Sequence, residues 1–226
     1  MKLVTDPKFE KMAAAVAPFT MTSVERLFAL YRAVAYIQQR DIPGDFVECG
    51  VWRGGSAFLA ALCLDALGDK KRRVFLFDTF EGMTPPEAVD VGPDGVPAAI
   101  QLKKSKKKDA DFNVWAYASR QDVEQNMKAL GLDSNRFVFC QGRVEETVPS
   151  MAPAEISLLR LDTDWYASTH HELVHLHPRL SPAGVLIVDD YGHWQGARKA
   201  VDEYFSGPNA ILLSHVDYTG VIGVKT

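Results

Sequence analysis

Two short apolar runs that end abruptly in acid constrain this chain most: Leu159-Arg160-Leu161-Asp162-Thr163-Asp164 and Val185-Leu186-Ile187-Val188-Asp189-Asp190. Parallel strands buried on both faces read as near-continuous Val, Ile and Leu runs, and α/β sheets bind ligands just beyond the carboxyl ends of such strands. As neighbouring parallel strands, the two runs bring four carboxylates to one sheet edge. Adjacent acids at the end of an apolar strand need partners or a metal. A hard divalent cation with oxygen ligands, Mg²⁺ in the first place, meets that need.

The rest of the chain supplies a scaffold of the same kind. Val24, Leu27, Phe28, Leu30, Tyr31, Val34 and Ile37 repeat at helical spacing over residues 22–40, with Thr22 or Ser23 as N-cap and Pro43-Gly44 as the break. Strands are expected over residues 45–50, 73–78, 136–141, 156–162 and 185–190. Helices are expected after the first strand up to Gly68, and over 119–130, 167–180 and 195–205, with Pro182-Ala183-Gly184 as the turn into the fifth strand. Residues 210–215 and 221–225, joined by Asp217-Tyr218-Thr219-Gly220, read as a terminal hairpin. Strand–helix alternation followed by a hairpin predicts a doubly wound, mostly parallel seven-stranded α/β sheet with an antiparallel C-terminal edge. With 226 residues, no repeat and no linker, one domain spanning 1–226 is expected.

Between residues 84 and 112 the periodicity dissolves into prolines (Pro85, Pro86, Pro93, Pro97) and the basic run Lys103-Lys104-Ser105-Lys106-Lys107-Lys108. A loop of that length is functional or mobile, and it reads as a lid, together with the N-terminal segment within residues 1–44. The lysines read as a solvated tip rather than an anion contact. A net charge of −4 argues against a nucleic-acid surface. Three scattered cysteines, no signal-like start and no membrane-length apolar run point to the cytoplasm.

The first strand leads into Glu48-Cys49-Gly50-Val51-Trp52-Arg53-Gly54-Gly55-Ser56, where a doubly wound fold binds a nucleotide. This is not the dinucleotide fingerprint, because Trp52 fills the second glycine's place, and it lacks the Gly-Lys-Ser/Thr of a P-loop. Glu48 would repel a pyrophosphate but suits a ligand carrying an ammonium. Asp78, ending the second strand, is placed for ribose hydroxyls. His171-Glu172-Leu173-Val174-His175 matches a zinc-peptidase pattern, yet it falls on the crossover helix between the fourth and fifth strands. There Leu173, Val174 and Leu176 are expected to face the sheet, leaving His170 and His177 on a polar outer surface, so the match is a decoy. Asp164 serves the acidic cluster or caps the following helix, and His193 is a surface residue or a substrate contact.

Four segments carry a family resemblance: Phe46 to Ser56, Phe77-Asp78-Thr79-Phe80-Glu81-Gly82, Leu159 to Asp164, and Val188-Asp189-Asp190-Tyr191. Together they resemble the macrocin O-methyltransferase family over nearly the whole chain. The resemblance implies a Rossmann-like class I methyltransferase, dependent on S-adenosylmethionine and Mg²⁺, acting on a sugar hydroxyl of a small natural product, and plausibly a homo-oligomer. By resemblance Glu48, Gly50, Trp52 and Ser56 hold the methionine end of the cofactor. Asp78 and Thr79 would meet the ribose, Gly142 and Arg143 border the adenine, and Asp162, Asp189 and Asp190 match the metal ligands. Catechol-methylating relatives have Asp-Asn where this chain has Asp189-Asp190, and a catalytic lysine where it has Trp165. The base is therefore expected to be Asp164, with Asp162 as the alternative. Of two rival readings, the missing fingerprint and the surplus of acids count against an NAD-dependent oxidoreductase, and a non-catalytic nucleoside-binding module would have no use for four clustered carboxylates.

Overall fold

The computed structural model describes residues 6–107 and 114–226. In chain order the elements are α1 (Pro7–Val16), α2 (Val24–Gln39), β1 (Asp45–Cys49), α3 (Gly55–Ala66), β2 (Val74–Asp78), α4 (Ala98–Lys104), α5 (Arg120–Ala129) and β3 (Phe137–Gln141). They continue with α6 (Val144–Thr147), β4 (Ile156–Leu161), α7 (Tyr166–Leu176), β5 (Leu180–Val188), α8 (Gln195–Phe205), β6 (Leu213–His215) and β7 (Val221–Val224). One sheet holds all seven strands in the order β3-β2-β1-β4-β5-β7-β6. The first five are parallel, and β7 lies antiparallel between β5 and β6. The expected doubly wound sheet is present, with its antiparallel pair at the C-terminal side.

Side-chain alternation divides the core in two. Phe46, Leu158, Val185 and Ile187 pack with the helical residues Leu30, Val34, Ile37, Leu59 and Leu64 on one face. Val47, Cys49, Leu159, Leu161 and Leu186 point the other way, against Leu173, Leu176 and Val201. Period-two alternation in strands covered on both sides produces this division. Ser23 caps α2 by accepting from the Arg26 amide, and Ser119 with Asp122 forms a capping box on α5.

The two segments expected as lids also carry contacts of the fold, and the bounds of the crossover helix are corrected. The N-terminal segment is scaffold before it is lid: Asp6 caps α1, and Phe9 is buried with its ring 5.1 Å from Phe28 and 5.4 Å from Tyr31. The segment after residue 84 is an ordered wall as far as it is described, while Lys108 and the end of the expected lid lie outside the described residues. Ala98 and Leu102 of α4 pack on Trp165 and Trp194, whose rings meet edge to face at 4.9 Å, and Trp165 Nε1 donates to the Thr84 carbonyl at 3.0 Å. The crossover helix stops at Leu176, and β5 starts at Leu180, so Pro182-Ala183-Gly184 is an irregularity inside the strand, with Ala183 at φ +64°. Among the described residues no helix is long and apolar enough to cross a membrane.

Candidate active site

A cleft of about 500 Å³ opens at the carboxyl ends of β1, β2, β4 and β5, large enough for a cofactor-sized ligand. Glu48, Gly50, Trp52, Ser56, Asp78, Thr79, Gly142, Arg143, Asp162, Asp164, Asp189 and Asp190 all line it. The sheet brings every one of these sequence-predicted residues to a single place. Phe19 to Thr22, ahead of α2, forms one wall, and Met83, Thr84 and Gln101 of the ordered segment form another.

The glycine-rich turn is built by close backbone approach. Gly50 has φ +81°, and a Cβ there would lie 2.0 Å from the Asp162 carbonyl oxygen, so no other residue fits. Asp78 organises the turn: its Oδ2 accepts from the amides of Val51 (2.6 Å) and Trp52 (3.2 Å), and its Oδ1 from Phe80 (2.7 Å). The Thr79 hydroxyl lies 2.8 Å from the Gly82 carbonyl and 3.5 Å from Asp78 Oδ1. Burial raises the Asp78 carboxyl, and its amide donors oppose that rise. Glu48 is buried, and burial pushes it up to about 7 against the pull of Arg160.

At the ends of β4 and β5, oxygens of Asp162, Asp164 and Asp190 lie within 4.8 Å of one another. Asp190 Oδ2 is buried without a hydrogen-bond partner. Burial holds Asp162 and Asp190 well above the usual carboxylate range, and neighbouring acids add to the effect. Burial likewise lifts Asp164 to about 7. Asp164 sits at φ +67° and does not cap α7. The first amide of that helix, Tyr166 N, instead donates to the buried Asp90 at 2.8 Å. Asp189 lines the cleft but stands apart from the cluster: its Oδ1 takes Arg160 Nη2 at 2.5 Å, and its Oδ2 takes Arg26.

Sequence reasoning missed these guanidiniums. Arg160 Nη1 donates to Glu48 at 2.6 Å and Asp162 at 2.7 Å, and Nη2 also reaches Thr22 at 3.1 Å. Arg26 bridges Asp189 to Asp217, the latter at 2.9 Å. The signal for Arg160 was present, because a charge inside an apolar central strand has to be paired.

The zinc-peptidase pattern is dismantled by its own contacts. His171 Nε2 lies 3.1 Å from the Val148 carbonyl, and Glu172 points inward, where it accepts from Thr163 at 3.1 Å. The inner face of α7 is therefore Glu172, Leu173 and Leu176, while Val174 is exposed. His177, expected outside, is buried against Tyr204. His193 is half-buried on the cleft wall, its Nδ1 3.3 Å from the Tyr218 hydroxyl.

This sheet order, with a glycine turn after β1 and acids ending β4 and β5, is the architecture of class I O-methyltransferases. The solved structure of the O-methyltransferase NovP matches it with a TM-score of 0.79 and 31% identity, covering 92% of this chain and 82% of NovP. Calicheamicin methyltransferase CalS11, at 17% identity and a TM-score of 0.68, shares the fold. Residues 8–223 match the family described as macrocin-O-methyltransferase (TylF), and the chain belongs to that family. Among curated relatives, 8-demethyl-8-(2,3-dimethoxy-alpha-L-rhamnosyl)-tetracenomycin-C 4'-O-methyltransferase of Streptomyces olivaceus is 36% identical over 207 residues, 89% of this chain and 74% of that one. Mycinamicin III 3''-O-methyltransferase of Micromonospora griseorubida is 33% identical over 192 residues, 82% and 69% of the two chains. The chain is an O-methyltransferase.

Proposed function

We propose that this enzyme methylates a sugar hydroxyl of a small natural-product glycoside, using S-adenosylmethionine and a divalent cation, Mg²⁺ by the chemistry of the donors. The observation that carries the reading is the convergence of Asp162, Asp164 and Asp190, with a buried Asp190 oxygen lacking a partner, beside a cleft that contains Glu48. All-oxygen, anionic donors fit a hard divalent ion. Glu48 suits the ammonium of a methionine moiety, the Asp78 carboxylate at the end of β2 suits a ribose hydroxyl, and Gly142 and Arg143 border the cleft where the adenine would lie. Relatives named for methylating natural products, one of them a rhamnosyl tetracenomycin, support a glycoside acceptor.

Asp162 and Asp190 would hold the cation. A third ligand comes from Asp189, as in the family pattern, or from Asp164, which shares the cluster. When bound, the cation acts as a Lewis acid that lowers the pKa of an acceptor hydroxyl and orients a vicinal pair. Asp164 is the proposed base: it takes the hydroxyl proton as the oxygen bonds to the methyl carbon and the carbon–sulfur bond breaks. Trp194, backed by the buried Trp165, walls the cleft on one side together with Met83 and Thr84.

The test is calorimetric titration of S-adenosylhomocysteine with Mg²⁺ and with EDTA, followed by methylation assays on sugar diols. Micromolar binding, on the order of −8 kcal/mol, together with chelator-sensitive turnover supports the reading, and absence of binding in both buffers overturns it. Asn variants at positions 164 and 189 separate the roles. The ligand's variant weakens Mg²⁺ binding at least tenfold, whereas the base's variant keeps Mg²⁺ and loses turnover by about 10²–10⁴-fold.

A further inference from the structure

Arg160 is the one charged residue in β4, its side chain is 3% exposed, and it lies directly opposite Glu48 in the β1–β4 register. Two of its nitrogens are divided among four partners on different elements. Nη1 holds Glu48 of β1 and Asp162 at the end of β4; Nη2 holds Asp189 at the end of β5 and Thr22 ahead of α2. Thr22 in turn sits 3.3 Å from the Ser56 hydroxyl in the first turn of α3. A guanidinium is a rigid planar fork, so fixing one of its partners fixes the direction offered to the others.

We propose that Arg160 is a positioning residue that joins the cofactor pocket to the cation site, so that each ligand binds more tightly when the other is present. The inference rests on the cofactor and cation reading above. Glu48 faces the proposed ammonium and Asp162 faces the proposed cation, and one nitrogen touches both. A cation that orders Asp162 orders Nη1, and Nη1 orders Glu48 before the cofactor arrives. The same chain runs in reverse, as linkage requires.

Calorimetry with S-adenosylhomocysteine isolates this route, because that probe carries one ammonium and one carboxylate and no net charge. Direct attraction or repulsion by a dication is therefore small, and coupling has to pass through the residues between the sites. In the wild type, Mg²⁺ in place of EDTA is expected to tighten S-adenosylhomocysteine binding by about fivefold or more, and the cofactor product to tighten Mg²⁺ binding by the same factor. Arg160→Lys replaces the fork with a point charge. Both ligands then still bind singly, and the coupling falls below about twofold. Should the lysine variant not fold, Thr22→Val loosens the fork at Nη2 while leaving Glu48 and Asp162 in place, and it is expected to weaken the coupling with both ligands still bound singly. Equal affinities in Mg²⁺ and EDTA for a wild type that binds both ligands overturn the inference, as does full coupling in Arg160→Lys. A wild type that binds no S-adenosylhomocysteine in either buffer overturns the cofactor reading itself, and one that binds it but no Mg²⁺ overturns the cation half.

Discussion

Both ends of the parallel sheet are closed by buried or half-buried arginines, with opposite results. At the amino ends of β1, β2 and β4, Arg72 donates to the carbonyls of Ile42 and Gly44 and to the Ser157 hydroxyl, each at 2.6 Å, and to Asp69 at 3.1 Å. Arg136, just ahead of β3, reaches the carbonyls of Arg72 (2.8 Å) and Asp69 (2.6 Å) and the Asp65 carboxylate (3.0 Å). Lys225 similarly closes on the carbonyls of His177, Pro178 and Leu180. Cations there meet mainly neutral acceptors, and folding supplies nearly all of their partners, Arg136 Nε being buried without one. At the carboxyl ends, Arg160 and Arg26 meet almost only carboxylates, and Asp162, Asp164 and Asp190 crowd together beyond them. That end is short of positive charge, and the proposed cation would complete it.

The largest effect that would break this contrast is at the open end. Asp162→Asn is expected to lower turnover about 10³-fold, some 4 kcal/mol of transition-state stabilisation. It should not lower the thermal midpoint of the ligand-free protein, because it removes one charge from a crowded set. A variant that loses stability in step with activity would show that the acids hold the fold together, and the contrast would fail.

A smaller effect, of opposite character, is expected at the closed end. Arg72→Met leaves the Ile42 and Gly44 carbonyls without this donor and is expected to cost about 2–4 kcal/mol of stability. Binding of S-adenosylhomocysteine per folded molecule should stay within twofold of wild type. Denaturant unfolding together with calorimetry checks both halves, and a large loss of affinity would mean that the two ends are coupled.

These two ends also differ in what the sequence discloses. Apolar strands ending in acid, the Gly50 turn and Asp78 are local patterns, and each could be read where it stands. Arg160 finds Glu48 across 112 residues, and no local pattern carries that pairing. The first helix was hidden because its lysines and alanines leave a thin apolar stripe, with Phe9 and Val16 as its buried anchors. The wall after residue 84 was hidden by prolines and by dependence on distant partners, Trp165, Trp194 and the Tyr166 amide that its own buried Asp90 accepts from. Val174 and His177 exchanged their expected places because the helix ends at Leu176 and the chain turns inward. Tertiary context decided these positions over periodicity.

His177 sharpens the comparison through pH. It belongs to the closed end, buried between Tyr204 and Phe205, with its Nδ1 3.1 Å from the Tyr204 hydroxyl and Nε2 without a partner. Burial pushes its pKa down to about 4, and the charge of Lys225 adds to the shift. An unfolded histidine titrates near 6.5, so below that pH the unfolded chain binds a proton that the folded chain refuses. The stability this site contributes is present in full above pH 6.5, and acidification removes it progressively down to about pH 4, by roughly 3 kcal/mol in all. Glu48 and Asp164, raised to about 7 at the open end, act in the opposite sense, since without ligands the folded state takes up their protons first. Their contribution is shared by wild type and His177→Gln, so the difference between the two proteins isolates the closed end. Denaturant unfolding of both, without ligands and from pH 7.5 to 4.5, should show the wild type losing its advantage over the variant as pH falls through 6.5. A difference that stays constant with pH would mean that His177 titrates alike in the folded and unfolded chains, and one that grows as pH falls would mean that it is protonated in the fold and that the closed end also relies on charge.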